Sequence, residues 1–248
     1  MKGILVIFMT SYLYLMPGSP LDAKMSDAEA VSWYHYFVSA VYFTPLLGAF
    51  IADAFLGKYL TIILLSIVYC LGHGALALMG TDLPFMEGSL SPSLFLVLGL
   101  ILISLGAGGI KPCVSAHVGD QFGESNSHWL SRIYMVFYLS INLGAAISNL
   151  LTPWLLYWYG PHWAFGVPGV LMAIATLVFW MGRKKFIHVP PGGMAFIREV
   201  FSARGLKAIL KLSVIYVFVA VFWALFDQSG STWVLQAEDM NRYWMGVH

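Results

Sequence analysis

Residues 104–122 read SLGAGGIKPCVSAHVGDQF. Lys111 stands late in a long apolar segment, Pro112 follows at once, and no other charge occurs between Glu87 and Asp120. A charged side chain in hydrocarbon is costly unless it faces a bundle interior or a water-filled cavity, where it marks an ion or substrate path. The reading of this one lysine therefore depends on whether its segment crosses a membrane.

The rest of the chain says that it does. Of 248 residues, 59% are hydrophobic and 10% charged, whereas a soluble domain carries about a quarter charged residues. The composition is that of a polytopic all-α membrane protein with the lipid bilayer as its surroundings. The net charge of +1, with no basic tract interleaved with aromatics, gives no nucleic-acid partner. Cys70 and Cys113 both lie in apolar segments, offer no metal spacing, and read as small buried hydrophobes.

Apolar runs place spans at about 31–53, 59–79, 93–118, 132–154, 163–182 and 210–235. A shorter run, 3–16, falls below the roughly 20 residues a spanning helix needs. It reads as a signal peptide or as a spanning helix without its beginning. Counted as a span it makes seven, and the basic residues then sort by side. With a cytoplasmic N-terminus, Lys2, Lys58, Arg132, Arg183, Lys184, Lys185, Arg198, Arg204, Lys207 and Lys211 fall inside, while only Lys24 and Arg242 fall outside. That asymmetry supports the span count and the orientation.

The inside connection 183–209 starts RKKFIHVPPGG and continues MAFIREVFSARGLKAIL. In the second part Phe196, Ile197, Val200, Phe201, Leu206, Ile209 and Leu210 can share a face, which predicts one amphipathic helix along the membrane surface. The part before Met194 reads equally well as a solvated linker. The organisation expected is an N-terminal bundle over 1–182, a linker over 183–209, and a seventh span opening a second bundle over 210–248.

Asp227, in VFVAVFWALFDQSGSTWVLQ, is the second ionisable group with apolar residues around it. Lys111 and Asp227 point to a ligand path; a salt bridge that only ties two helices is the structural alternative. His35 near the outer end of the second span suits a proton acceptor or an interfacial aromatic. Tyr42 and Asn142 are mid-span, as packing groups or ligand contacts. His73, between glycines in LGHGAL, reads as packing. Trp223 lies one turn before Asp227, walling a cavity or facing lipid. Asp53, Gly57 and Lys58 form a tight acidic–glycine–basic turn that suits a latch between helix ends, or a plain capped turn.

Four stretches now carry a resemblance: GAFIADAFLGKYLTI (48–62), GAGGIKPCVSAHVGDQF (106–122), FYLSINLGAAIS (137–148) and FWALFDQSGSTWVLQA (222–237). In this order they resemble the proton-dependent oligopeptide transporter family of the major facilitator superfamily. YHYFVSAVYFTPLLG (34–48) is similar to the second helix of a mammalian intestinal member. The resemblance implies two six-helix bundles around a central cavity, each of two inverted three-helix repeats. It implies proton-driven uptake of di- and tripeptides across the plasma or inner membrane, with protons as coupling ion and no cofactor.

By the resemblance Lys111 helps hold the peptide carboxylate, Asn142 contacts the peptide backbone, Tyr42 lines the cavity and Trp223 shapes a side-chain pocket. Asp227 and His35 match proton-coupling positions. The family's E-x-x-E-R motif, expected just before the position of Met1, is absent, as are five helices after the seventh span. The expectation is therefore a fragment, inactive by itself and completed by a C-terminal bundle in a longer chain. A plant-type substrate such as nitrate, or a non-transporting receptor or regulatory partner, is the alternative function. No Ser–His–Asp spacing, H-E-x-x-H or paired aspartates suggest an enzyme.

Overall fold

The computed structural model describes residues 2–19, 24–82 and 90–240; Glu87 and Arg242, used above, lie outside them. The helices are α1 (Lys2–Ser11), α2 (Asp27–Ile51), α3 (Lys58–Ala77), α4 (Pro92–Asp120), α5 (Leu130–Tyr159), α6 (Pro161–Met181), α7 (Gly193–Val200), α8 (Ala203–Phe226) and α9 (Thr232–Asp239). Among the described residues six helical stretches are long and apolar enough to cross a membrane, and they match the six longer spans read from the sequence.

Local chemistry sets their ends. Ser26 caps α2 by accepting a hydrogen bond from the Glu29 amide at 3.3 Å, with Asp27 and Glu29 in the positively polarised first turn. Beyond Ile51 the helix runs on through a wider π-type turn, Ala52–Leu56. Gly57 then reverses the chain at φ +75°, where a Cβ would be strained, and α3 begins at Lys58.

In a bilayer, close packing and interhelical hydrogen bonds hold helices together, because lipid is as apolar as a side chain. The α2–α4 contact uses both. A methyl on Gly48 would collide with the Gly109 backbone, and the Thr44 hydroxyl donates to the Ser104 carbonyl at 2.7 Å. His73 is fully buried, and its Nδ1 pairs with the Phe165 carbonyl at 2.8 Å, tying α3 to α6. The packing role read for it fits this position.

The short segment read as an incomplete span forms the most buried helix. In α1, Ile4, Leu5, Val6, Phe8 and Met9 are each at most 1% exposed, and Phe8 meets Phe165 edge to face at 5.0 Å. Lys2 stands beside Asp227 and Tyr42, not in a membrane-end loop as the charge count assumed.

The connection after α6 also differs from expectation. The sequence reads as one amphipathic helix from about 194; the chain instead forms α7, stops at Phe201, and restarts at Ala203. Ser202 causes the break. Its backbone is extended, and its side chain caps α8 by accepting from the Gly205 amide at 3.1 Å. The span helix therefore starts at 203 rather than 210. Residues 186–192 are a strap pinned under the helix ends. The Ile187 amide donates to the Gln121 Oε1 at 2.8 Å, the Gln121 amide donates back to the Ile187 carbonyl at 3.2 Å, and the Gly192 amide donates to the Asp53 carbonyl at 2.7 Å. His188 meets Tyr59 edge to face at 4.7 Å.

Candidate functional site

Between α2 and α8 lies a cavity of about 700 Å³, whose walls include His35, Ser39, Tyr42, Trp223, Asp227 and Gln228. Helical periodicity puts these side chains on one face of each helix: His35, Ser39 and Tyr42 repeat at four and three residues, and Ala220, Trp223 and Asp227 at three and four. Trp223 packs against Tyr42 with ring centroids 5.7 Å apart. Of the two readings offered for Trp223, the cavity wall is the one that its position matches.

Asp227 closes α8 and is buried, its side chain 10% exposed. A carboxylate this far from water needs compensation. Lys2 supplies it, with Nζ 3.7 Å from Oδ1 and 5.2 Å from the centre of the Tyr42 ring. At that distance the pair is a charge contact rather than a close hydrogen bond. Lys111, on α4, is exposed but near enough for its charge to act on Asp227 and on Lys2. The site therefore holds one carboxylate and two cations of which neither is locked to it. His35 Nε2 lies 3.4 Å from the Ser231 hydroxyl at the foot of α9.

The structure thus brings Tyr42, Trp223, Asp227 and His35 to one cavity, whose lining does not include Lys111. Asn142 is not in the lining of this cavity; it is exposed on α5, with its amide donating to the Tyr138 carbonyl of its own helix at 2.8 Å. Lys2 was missed as a site residue. Its signal was a cation directly ahead of an apolar run.

At the other end of α3, Lys58 is paired with Asp120 rather than with Asp53 across the turn. The ammonium donates to both carboxylate oxygens, at 3.0 and 2.8 Å, and the two side chains are 21% and 18% exposed. Asp53 takes part through its backbone carbonyl, which accepts from Gly192 at 2.7 Å. The turn thus joins α2, α3, α4 and the strap. Asp120 escaped notice because 62 positions separate it from its partner.

Comparison with known proteins supplies the family. The family model described as "POT family" matches residues 59–204 and 201–248. Human solute carrier family 15 member 2 is 38% identical over 283 residues, covering 98% of this chain and 37% of that protein. The POT family transporter PepTSo is similar in structure, with a TM-score of 0.81 and 33% identity over 98% of this chain and 60% of that one. A further crystal structure, of a proton dependent oligopeptide (POT) family transporter, gives a TM-score of 0.75 and 33% identity, over 99% of this chain and 63% of that one. The chain spans about 37% of the length of the curated relative. Its all-helical architecture is of major-facilitator type, and it is a multi-pass membrane protein. The chain belongs to the POT family.

Proposed function

We propose that this chain forms the N-terminal bundle and seventh helix of a symporter that carries di- and tripeptides into the cell with protons, by alternating access. The observation that carries the reading is the buried Asp227 carboxylate, facing a cavity of about 700 Å³ with Lys2 at 3.7 Å and Lys111 nearby. A peptide is a zwitterion. Its ammonium finds a carboxylate in Asp227 and its carboxylate finds cations in Lys2 and Lys111. A simple inorganic anion such as nitrate would use the cations and leave Asp227 with no ligand group to pair, so the mixed charge favours a peptide.

The proton enters the same arithmetic. Protonating Asp227 removes the charge that holds Lys2; the released ammonium becomes free for the substrate carboxylate, and the peptide ammonium keeps a hydrogen bond to the carbonyl oxygen of the neutral Asp227 carboxyl. Proton and peptide then shift the balance between inward-open and outward-open forms only by their different affinities for the two. Tyr42 and Trp223 wall the side-chain space, and His35 serves proton movement at the edge. Asn142, Asp53 and Lys58 keep the roles that the resemblance or the sequence gives them: Asn142 toward the peptide backbone, the other two in gating. In this reading the protein is not an enzyme, needs no cofactor, lies in the plasma or inner membrane with its N-terminus cytoplasmic, and acts with a second bundle supplied by a longer chain.

The test uses the full-length protein in liposomes with an inward proton gradient. Labelled dialanine accumulates and unlabelled dipeptide, but not nitrate, competes. Lys111→Ala inserts normally and loses most uptake, about tenfold or more for one lost charge contact of roughly 1.4 kcal/mol. Competition by nitrate alone, or unchanged dialanine uptake in Lys111→Ala, overturns the reading.

A further inference from the structure

A second concavity lies on the opposite side of the bundle. It is a groove of about 870 Å³ between α3, α4 and α6, with walls including Ile67, Leu71, Leu102, Ala173, Leu177 and Trp180, and no charged residue in its lining. Helix geometry sets its direction. Leu102 and Lys111 are nine residues apart on α4, and at about 100° per residue they point to opposite sides. A groove on the Leu102 side therefore turns its back on the site and faces the acyl chains. On α6, Ala173, Leu177 and Trp180 repeat at four and three residues, so one face of that helix forms a continuous wall.

The groove ends at a cluster of positive charge. The Arg183 guanidinium lies 3.8 Å from the centre of the Trp180 ring, and its Nη1 donates to the Trp180 carbonyl at 3.1 Å. Stacking on the ring that lines the groove fixes this cation at the mouth. Lys184 and Lys185 follow directly and are exposed. Among the described residues none of the three forms an ion pair, and the sequence offers no acid from Pro161 to Arg198. Tryptophan and basic residues mark the level of the lipid headgroups, and basic pockets at the ends of spanning helices hold anionic headgroups.

We propose that the α3–α4–α6 groove is a binding site for one anionic phospholipid of the leaflet on the basic side. One acyl chain lies along Ala173, Leu177 and Leu71, and the phosphate sits against Arg183, Lys184 and Lys185. The proposal rests on the membrane assignment, not on the transport reading, and its test reads lipid association rather than uptake.

The full-length protein is placed in phosphatidylcholine bilayers with a trace of nitroxide-labelled phosphatidylserine or nitroxide-labelled phosphatidylcholine, and electron spin resonance gives the motionally restricted fraction of each. The wild type should prefer phosphatidylserine, with about a fivefold loss of preference for each charge removed. Arg183→Gln/Lys184→Gln/Lys185→Gln should bring the two lipids to parity. Lys184→Gln/Lys185→Gln, which alters exposed side chains only, keeps the test available if the triple variant does not fold. Ala173→Phe, filling the groove, should lower the restricted fraction of both lipids while headgroup preference at the remaining boundary falls. Equal association of both lipids with the wild type overturns the proposal. So does an unchanged restricted fraction in Ala173→Phe, or a dimer in nanodiscs that Ala173→Phe dissociates, which would make a second copy the occupant.

Discussion

Among the described residues stand two lysine–aspartate pairs, and they are built differently. Lys58 and Asp120 meet through two hydrogen bonds of 3.0 and 2.8 Å and are about equally sheltered. Lys2 and Asp227 stand 3.7 Å apart, with the lysine four times as exposed as the aspartate. The first pair joins the ends of α3 and α4 beside a strap that is itself hydrogen-bonded to Gln121. The second faces a cavity large enough for a ligand. A tight pair fixes a geometry. A loose pair that shields a buried carboxylate leaves both charges open to competitors, as the proposed binding of proton and zwitterion at one site requires.

Breaking the loose pair from its exposed side should give the largest effect. Lys2→Leu leaves Asp227 buried without its nearest cation, and uptake by the full-length protein should fall about a hundredfold, with a lowered unfolding midpoint. Adding Asp227→Leu should restore the midpoint, because no buried charge is left without a partner and Lys111 is exposed, and should not restore uptake. If Lys2→Leu alone leaves both readings at wild type, the pair has no energetic content and the contrast drawn here fails.

The tight pair should answer differently. Asp120→Ala loses two charge-assisted hydrogen bonds at a partly exposed position, so stability should drop by about 1–2 kcal/mol, seen as a lower melting temperature in detergent. Peptide affinity in a binding assay should stay within about twofold, since the pair lies away from the cavity. A large loss of affinity without a loss of stability would merge the two regions that the structure separates.

A smaller effect sharpens the strap's part. Gln121→Ala removes the two hydrogen bonds that hold Ile187, worth about 1 kcal/mol each. Protease cleavage between residues 186 and 192 should speed up several-fold while Lys58 and Asp120 remain paired. Cleavage at the wild-type rate would mean that the Gly192–Asp53 bond and the aromatic contacts hold the strap alone.

Much of this was legible in the sequence, because in a membrane the rule about charge is severe. Lys111 and Asp227 stood out as ionisable groups in apolar runs, and the six long spans followed from hydropathy. The partners were not legible. Lys2 was counted with the loops, although its contacts set it beside Tyr42 and Asp227. Asp120 closed a helix and looked like an ordinary end charge, since pairing across 62 positions leaves no spacing to read. The break before α8 did have a signal. Ser202 ahead of Ala203 is an N-cap pattern, and the apolar periodicity running through it concealed the stop.

The central claim is that Asp227 couples proton movement to peptide movement. Its direct test is Asp227→Asn in the full-length protein, in liposomes, with the same labelled dipeptide measured in two ways. Uptake driven by a proton gradient should be lost, while exchange of labelled for unlabelled peptide, which needs no net proton movement, should persist. Gradient-driven uptake at the wild-type rate in Asp227→Asn would contradict it.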